Sequence, residues 1–263
     1  MLSIFKFEMV SQRKQWLIWT ISIVILNALM MFIYSTMVDE MANFAQMFEN
    51  LGVFGEAMGL SSLNIGTVLG YYGVEVGLVC ALGGSMYAAM SAITILSKEE
   101  SYHTAEFLFT HPLSRIKITL MKLLSVTIYV TLMAIVFLIT GLISFLFFEG
   151  PLPYQELIAY HGSQWLMFLQ IMGICFLISA FYRKQNIGTG LGLVLILYFL
   201  LIVYNLSEDM WFLRYVTPFV YADAALILGD GILRFDWILF GCLLGILCAV
   251  VGIVHYHRKD LTV

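Results

Sequence analysis

The residues best suited to chemistry lie in one polar stretch of this 263-residue chain, residues 98–115, with the sequence KEESYHTAEFLFTHPLSR. Its candidate acid–base groups are Glu99, Glu100, Glu106, His103 and His111. Carboxylates and imidazoles can exchange protons with a substrate or bind a metal ion. The two histidines stand eight positions apart, however, and no cysteine lies near them. We therefore expect solvated side chains rather than a metal site.

Elsewhere the sequence lacks the motifs that would assign catalysis. It contains no G-x-x-x-x-G-K-[ST] loop for ATP, no H-E-x-x-H and no G-x-S-x-G. Its four cysteines, Cys80, Cys175, Cys242 and Cys248, all fall within apolar runs, where they are expected to act as small packing residues. We predict no catalytic residue, no metal site and no cofactor in this chain.

A helical reading of the polar stretch gives it two different faces. Ala105, Leu108 and Phe109 form an apolar stripe, and Glu99 and Glu106, seven positions apart, share another face. The pattern predicts a short amphipathic helix on the membrane surface that offers its polar face to a partner. The alternative is that the acids only solvate a surface helix.

Two residues set the end of this helix. Pro112 stops it, because proline lacks an N–H and pushes His111 out of the α region. Ser114 then offers a hydroxyl that could cap the next helix.

The elements on either side of this stretch are membrane spans. The chain is 61% hydrophobic and 11% charged, whereas about a quarter of the residues of a soluble domain are charged. Apolar runs of about 20 residues recur, the length that crosses about 30 Å of hydrocarbon. We predict an all-α polytopic membrane protein whose residues 1–263 form one domain. The six predicted transmembrane helices cover residues 16–38, 67–96, 116–148, 164–182, 187–206 and 237–256.

Three further segments are predicted to be helical without spanning. Residues 2–15 mix apolar and basic residues at helical spacing and predict an N-terminal interfacial helix. Residues 41–51 predict a second amphipathic helix on the opposite surface. Residues 207–235 are cut by Thr217-Pro218 and by Gly229-Asp230-Gly231 into pieces of about 10–14 residues, which suit re-entrant or interfacial helices.

The basic residues predict the orientation. With six spans, eleven of the thirteen fall on one side: Lys6, Arg13, Lys14, Lys98, Arg115, Lys117, Lys122, Arg183, Lys184, Arg258 and Lys259. Arg214 and Arg234 fall on the other side. By the positive-inside rule, both termini and the stretch 98–115 are cytoplasmic, and the loops 39–65 and 207–235 face outward.

The second span carries a stripe of small residues and one acid. The predicted helix-packing seam is Gly66, Gly70, Gly73, Gly77 and Gly84, continued by Ala81, Ala88 and Ser91. Such a stripe lets helices approach closely, either as static packing or as a seam that slides. Glu75 lies about 180° from the stripe and about 31 Å before Leu96 along the helix. It either lines the outer mouth of a pathway or is a hydrated interfacial acid.

The polar stretch resembles a known signature, that of ABC-2-type permeases, the membrane subunits of bacterial ABC exporters. Their pattern is an acidic pair, Gly-Thr, Glu-x-Leu-Leu, Pro-(Val/Leu/Ile)-Ser-Arg and a lysine in the next helix. The matching positions are Glu99, Glu100, Thr104, Glu106, Leu108, Pro112, Ser114, Arg115 and Lys122. His103 stands where glycine is usual. Weaker similarities are Ile178-Ser179-Ala180 with Arg183, Thr217-Pro218-Phe219 with Tyr221, and the tail 257–261.

This resemblance implies a partner and a mechanism. Two permeases, with a second copy of this chain as the expected partner, each dock on one of two ABC ATPase subunits, which bind ATP and magnesium. The stretch 98–115 is then the cytoplasmic coupling helix between spans 2 and 3. Its implied ATPase-coupling residues are Glu99, Glu100, Thr104, Glu106, Phe107, Leu108, Pro112, Ser114 and Arg115. The implied location is the bacterial cytoplasmic membrane, and no nucleic-acid partner is expected.

The resemblance does not identify one substrate. The resemblance favours export of an amphipathic or antimicrobial peptide, with small ions, drugs or lipids as alternatives. A secondary carrier or channel would predict charged residues near the bilayer midplane and an internal repeat, and the sequence shows neither. A membrane-embedded enzyme or scaffold would need a reactive cluster or large soluble loops, which are also not found.

Overall fold

The structure is a computed structural model that describes residues 2–38, 40, 55, 63–102 and 114–259. Every regular element in these ranges is a helix, and six helices are long and apolar enough to cross a membrane. The prediction of an all-α polytopic membrane protein is therefore confirmed. In chain order the elements are α1 (Leu2–Thr36), α2 (Val68–Tyr71), a π-helix (Tyr72–Val76), α3 (Gly77–Ile95), α4 (Ser97–Ser101), α5 (Arg115–Phe145), α6 (Tyr154–Phe181), α7 (Ile187–Leu206), a 3₁₀-helix (Glu208–Tyr215), a second π-helix (Ala225–Gly229) and α8 (Phe235–Arg258).

Helix α1 is one unbroken helix of 35 residues, Leu2–Thr36. The prediction of a separate interfacial helix at residues 2–15 is wrong, because that segment continues directly into the first apolar run. Residues 2–36 contain neither glycine nor proline, so nothing in the chain favours a bend there. At 1.5 Å per residue the helix is about 52 Å long, so it extends beyond a hydrocarbon layer of about 30 Å.

Helix α6 begins at Tyr154, ten positions before the predicted start of the fourth span at Gln164. Pro153 occupies the position before its first turn, where a missing N–H costs no hydrogen bond. The added turns carry polar residues that resembled a loop in the sequence. Tyr160 and His161 are nevertheless buried, because this part of α6 lies inside the bundle.

Helix α6 is also the centre of the bundle. It packs against α3, α5 and α8, while α1 packs on α5 and α7 packs on α3. The outward faces of α1, α7 and α8 expose large apolar side chains such as Ile25, Phe199 and Leu239. In a protein whose helices are long enough to span a bilayer, such faces are expected to contact lipid.

The segment between α7 and α8 is broken into short helices, of eight and five residues. They are shorter than the predicted pieces of 10–14 residues, because the turns at residues 216–224 fold inward between them. The Thr217 hydroxyl donates to the carbonyl of Leu197 (2.7 Å), and the Tyr221 hydroxyl donates to Gln170 Oε1 (2.9 Å). The predicted amphipathic helix at residues 41–51 lies outside the described residues.

A π-helix interrupts the second apolar run between α2 and α3. The N–H of Gly77 bonds to the carbonyl of Tyr72, five residues back, so the residues between them are wound less tightly than in an α-helix. A stripe drawn at 100° per residue therefore does not continue unbroken from Gly66, which precedes α2, to Gly84 in α3.

The glycines of this run make room for side chains of other elements. A Cβ added at Gly77 would lie 2.3 Å from the hydroxyl of Tyr160, and one at Gly84 would lie 2.3 Å from the ring of Phe168. At Gly73 the nearest atom would be a methyl group of Leu228 (3.1 Å). The aromatic rings come from α6, so these positions accept bulky side chains rather than a neighbouring backbone.

The two remaining glycines of the predicted seam, Gly66 and Gly70, lie near a turn. A Cβ at Gly70 would lie 2.0 Å from the carbonyl oxygen of Asn64. The Tyr34 hydroxyl donates to the carbonyl of Gly66 (2.9 Å), which ties this turn to α1.

Close contact between backbones occurs instead between α6 and α8. A Cβ added at Gly173 would lie 2.3 Å from the carbonyl oxygen of Gly245, and one at Gly245 would lie 2.9 Å from Cα of Gln170. Small residues at such positions allow dispersion contacts along two helix backbones in lipid. This contact was not identified from the sequence.

We predict that Gly173→Ala lowers the free energy of unfolding by about 1–3 kcal/mol, because the new methyl group overpacks the α6–α8 contact. Gly162→Ala in the same helix is the matched control, since a Cβ there meets nothing within 4 Å. It should leave stability unchanged or raise it by up to about 1 kcal/mol. Thermal unfolding in one detergent compares the variants, and equal melting temperatures for both would contradict the assigned contact.

Candidate functional site

Three elements meet in a buried group of ion pairs at the end of the bundle where α1 begins and α5 starts. The Lys122 ammonium lies 2.7 Å from Glu8 Oε1 and 2.6 Å from Glu99 Oε1. Lys98 pairs with the other oxygen of Glu8. Helix α1 supplies Glu8, α4 supplies Lys98 and Glu99, and α5 supplies Lys122. We call these four residues the ion-pair cluster.

Three members of the ion-pair cluster are almost completely shielded from solvent, and the Lys98 side chain is 15% exposed. Exposed fractions are 0% for Lys122, 1% for Glu8 and 8% for Glu99. Burying a charge is costly unless it is paired and its hydrogen-bonding groups are satisfied. The three N–H donors of Lys122 have three acceptors, since Nζ also lies 3.3 Å from the carbonyl oxygen of Ile95. Two ammonium and two carboxylate groups make the cluster neutral overall.

The charge of Lys98 reflects the same environment. Burial lowers the pKa of its ammonium below the ordinary value, and repulsion from the Lys122 ammonium lowers it further. Attraction to Glu8 and Glu99 opposes both effects. The net direction is a lowered pKa, so burial and Lys122 outweigh the two carboxylates.

A second ion pair ties α4 to the residue that follows α8. Lys259 Nζ lies 2.7 Å from Glu100 Oε1 and donates to the carbonyl of Tyr182 at 2.8 Å. Arg115 Nη1 donates to the carbonyl of Lys259 at 2.9 Å. Glu100 of α4 and Arg115, the first residue of α5, are thus both bound to Lys259.

The peptide between α3 and α4 is fixed as well. The N–H of Leu96 donates to the hydroxyl of Ser179 in α6 (3.1 Å), and the Tyr256 hydroxyl of α8 lies 3.4 Å from the carbonyl oxygen of Leu96. Together with the ion pairs, these bonds connect the start of the stretch 98–115 to α1, α5, α6 and α8.

These contacts change the interpretation of two predicted site residues. The spacing predicts Glu99 on a polar face directed toward a partner, and the resemblance implies that Glu100 contacts the ATPase, but both are buried and paired within the chain. The reason is that the buried ammonium groups of Lys122 and Lys259 pair with these two carboxylates of α4. Tyr102 is the exposed side chain at the end of this short helix.

The other predicted residues are placed only in part. Ser114 occupies the N-cap position of α5, but its side chain makes no capping hydrogen bond. Arg115 is half-buried. Thr104, Glu106, Phe107, Leu108 and Pro112 lie outside the described residues, as do His103 and His111. Glu75 is half-buried within the first π-helix, and its role in a pathway stays a prediction.

Two buried polar features, one in the ion-pair cluster and one elsewhere in the bundle, are not among the predicted site residues. The sequence predicts Glu8 on a surface helix, but it pairs with Lys122. An acid in α1 and a lysine in the apolar α5 are a pattern that favours such pairing. His161 lies within α6, where its Nε2 is 2.6 Å from the Tyr72 hydroxyl. Gln164 nearby donates to the carbonyl of Gly77 (3.0 Å). In the sequence, the indication of His161 and Gln164 was the run of polar residues just before the fourth predicted span, which starts at residue 164.

The described residues contain no group of three or more His, Cys, Asp or Glu side chains that could hold a metal ion. The arrangement instead provides fixed charges and short hydrogen bonds, which position a segment of chain.

The six long apolar helices and their packing define a multi-pass membrane protein. The model of the family described as ABC-2 family transporter protein matches residues 2–261, so the chain belongs to this family. Its members are the membrane components of ABC transporters and associate with an ABC ATPase. No curated protein matched the chain.

We predict that Lys122→Gln lowers the free energy of unfolding by about 3–5 kcal/mol, because two buried carboxylates lose their shared cation. Lys117→Gln is the matched control, since Lys117 is exposed in the same helix. It should change stability by no more than about 0.5 kcal/mol.

The double variant Glu8→Gln/Lys122→Gln tests the pairing itself. It should cost less than the sum of the two single variants, because it restores neutrality among the remaining charges. Chemical or thermal unfolding in one detergent gives the stabilities of the wild-type chain, the two single variants and the double variant. Additive costs would show that the two side chains do not interact.

Proposed function

We propose that this ABC-transporter permease is an exporter that pairs with a second copy of itself and is driven by two ATPase subunits. Each ATPase would seat on the stretch 98–115 of one permease. This stretch would serve as the coupling helix, and ATP-driven closure of the ATPases would move the spans through it. The ATPase would bind ATP and magnesium, and this chain would contribute no catalytic residue.

The observation that carries the proposal is the ion-pair cluster. A segment that transmits force must be firmly joined to the parts it moves. The cluster joins α4 to α1 and α5, and Lys259 joins it to the end of α8. A displacement of the stretch 98–115 would therefore be passed to these helices rather than absorbed by a loose connection.

Within this proposal the predicted coupling residues divide into two groups. Glu99 and Glu100 are positioning residues, since their partners lie within the chain. Contact with the ATPase would fall on exposed Tyr102 and on residues of the motif that follow it. We expect those residues to include Thr104, Glu106, Phe107 and Leu108, with Pro112, Ser114 and Arg115 shaping the return to α5.

The orientation follows from the distribution of basic residues. We place both termini and the stretch 98–115 in the cytoplasm, and the chain in the bacterial cytoplasmic membrane. This orientation is supported by the positions of Arg183 and Lys184, which follow Tyr182 next to Lys259. It puts the coupling segment in the compartment that contains ATP.

We predict that a photo-crosslinking amino acid at Tyr102 forms an adduct with an ATPase subunit in native membranes. Tyr154 is the matched control, because it is also an exposed tyrosine but starts α6 at the opposite end of the bundle. Mass spectrometry should find the G-x-x-x-x-G-K-[ST] motif in the protein joined to position 102. Adducts with the ATPase from position 154 alone, or from neither position, would reject the proposed coupling surface.

The proposed substrate is an amphipathic or antimicrobial peptide, on the strength of the motif resemblance. Small ions, drugs and lipids remain the alternative cargo, and an ATP-independent carrier or channel is the alternative mechanism. The Met-rich and aromatic composition is compatible with an apolar, adaptable pathway.

We predict that inside-out vesicles containing the chain and its ATPase accumulate an amphipathic helical peptide only when ATP is hydrolysed. A hydrophobic dye and sodium, tested in the same vesicles, should not accumulate. ATP-dependent uptake of the dye or sodium alone would assign the alternative cargo, and uptake with a non-hydrolysable ATP analogue would reject the ATP-driven mechanism.

A further inference from the structure

Two arginines share one aromatic ring at the end of α8 that lies farthest from Lys259. The guanidinium carbons of Arg214 and Arg234 lie 5.3 and 5.2 Å from the centroid of the Trp237 ring. Arg214 belongs to the 3₁₀-helix, and Arg234 directly precedes the first residue of α8. The fold thus brings two positive charges from separate elements to one place.

Arg214 is held by two further aromatic rings. Its guanidinium carbon lies 5.2 Å from the centroid of Trp211 and 5.0 Å from that of Tyr215. Cation–π contacts attract the charge of a guanidinium group but do not use its N–H donors. Nε is shielded from solvent, whereas Nη1 and Nη2 are not, and neither makes a hydrogen bond to the described residues. The donors of these two terminal nitrogens can therefore be reached from outside.

Neither arginine has an acidic partner among the side chains that the structure describes. The ion pairs found there lie at the other end of the bundle and use Lys98, Lys122 and Lys259. Asp209 and Asp236, the exposed acids nearest in the sequence, pair with neither arginine. Two unpaired like charges beside one ring repel each other, so the arrangement favours a bound anion.

The depth of the two arginines in the membrane indicates which anion reaches them. Helix α8 has 24 residues and is about 36 Å long, slightly more than a hydrocarbon layer of about 30 Å. Its ends, at Arg234 and Lys259, therefore lie in opposite headgroup layers. Phe235 and Leu239, just inside Arg234, are 72% and 61% exposed, as expected of side chains that contact acyl chains. The anion that is concentrated in this layer is the phosphate of a phospholipid.

We propose that Arg214 and Arg234 form a binding site for an anionic phospholipid and donate N–H groups to its phosphate. Guanidinium suits this role, because its planar fork can give two parallel N–H···O bonds to one phosphate. A choline headgroup carries its own cation, which the arginines repel, so the site prefers an anionic lipid such as phosphatidylglycerol. The acyl chains lie along the exposed face of α8. The site goes beyond export, since it requires neither ATP nor the ATPase.

The experiment uses the full chain, purified and placed in phosphatidylcholine nanodiscs that contain a minority of a photo-reactive lipid. The two probes are phosphatidylglycerol and phosphatidylcholine, each with the same diazirine near the glycerol end of one acyl chain. On the wild-type chain, phosphatidylglycerol should label peptides from residues 208–240 about tenfold more strongly than phosphatidylcholine, the ratio expected for charge-assisted hydrogen bonds to one preferred headgroup. This comparison needs no substitution.

Three variants locate the site. Arg214→Gln/Arg234→Gln should bring the labelling ratio of the two lipids to about one. Arg234→Gln alone changes an exposed side chain, which should not affect folding, and should lower the ratio part of the way. Arg183→Gln/Lys184→Gln is the matched control, because it also removes two exposed positive charges, and it should leave the ratio unchanged.

An excess of inorganic phosphate at constant ionic strength distinguishes a lipid from a free anion. It should leave labelling by phosphatidylglycerol unchanged, because the acyl chains hold the lipid at the site. Loss of labelling would reject a lipid site in favour of a site for free phosphate.

Two other results would overturn the proposal. One is equal labelling by the two lipids on the wild-type chain, which would mean that the headgroup is not recognised. The other is a preference that survives in both arginine variants or is lost equally in the Arg183→Gln/Lys184→Gln variant, which would indicate a response to net charge. Neither result bears on ATPase coupling, so the proposed function and this site are tested separately.

Discussion

The buried Lys122 ammonium needs carboxylate partners inside the bundle, and the arrangement of one end of the protein depends on this requirement. Its three N–H donors reach Glu8, Glu99 and the carbonyl of Ile95. These groups come from α1, α4 and the end of α3, so the elements must converge for the charge to be tolerated. Moving α1 away would remove Glu8 and leave two ammonium groups beside one carboxylate. An uncompensated charge in a poorly solvated site costs several kcal/mol.

The same requirement explains why α1 does not lie flat at its start. Glu8 has to reach into the bundle to pair with Lys122 and Lys98, and only a helix that continues in line with the first span puts it there. The Tyr129 hydroxyl adds a further tie, since it donates to the carbonyl of Met9 at 2.5 Å. The inward face of this segment therefore carries polar Glu8 and Gln12, while Phe7 and Val10 stay exposed on its outer face.

The sequence was sufficient for features that depend on composition along a single helix. Length and hydropathy predict the six spans, and Ile187–Leu206 coincides with its predicted range. Features that depend on which helices are neighbours could not be predicted. The Gly173–Gly245 contact requires α6 to lie against α8, and the early start of α6 requires a bundle interior that accepts Tyr160 and His161.

The candidate site divides in the same way. The motif located the stretch 98–115 and included Lys122, but helical spacing alone could not tell which face of α4 points inward. That choice depends on Lys122 and Lys259, which lie 23 and 159 positions away from their partners Glu99 and Glu100. Pairs of residues so far apart in the chain produce no periodic pattern, so they cannot be predicted from a single sequence.

Buried ion pairs also resist separation of the elements that they join. Apolar contacts tolerate small sliding displacements, because dispersion energy is spread over many weak contacts. A short ion pair in a poorly solvated site is directional, and its energy rises steeply when the partners separate. Coupling through Glu8, Glu99 and Lys122 therefore favours motion of α1, α4 and α5 as one unit, whatever force is applied to the stretch 98–115.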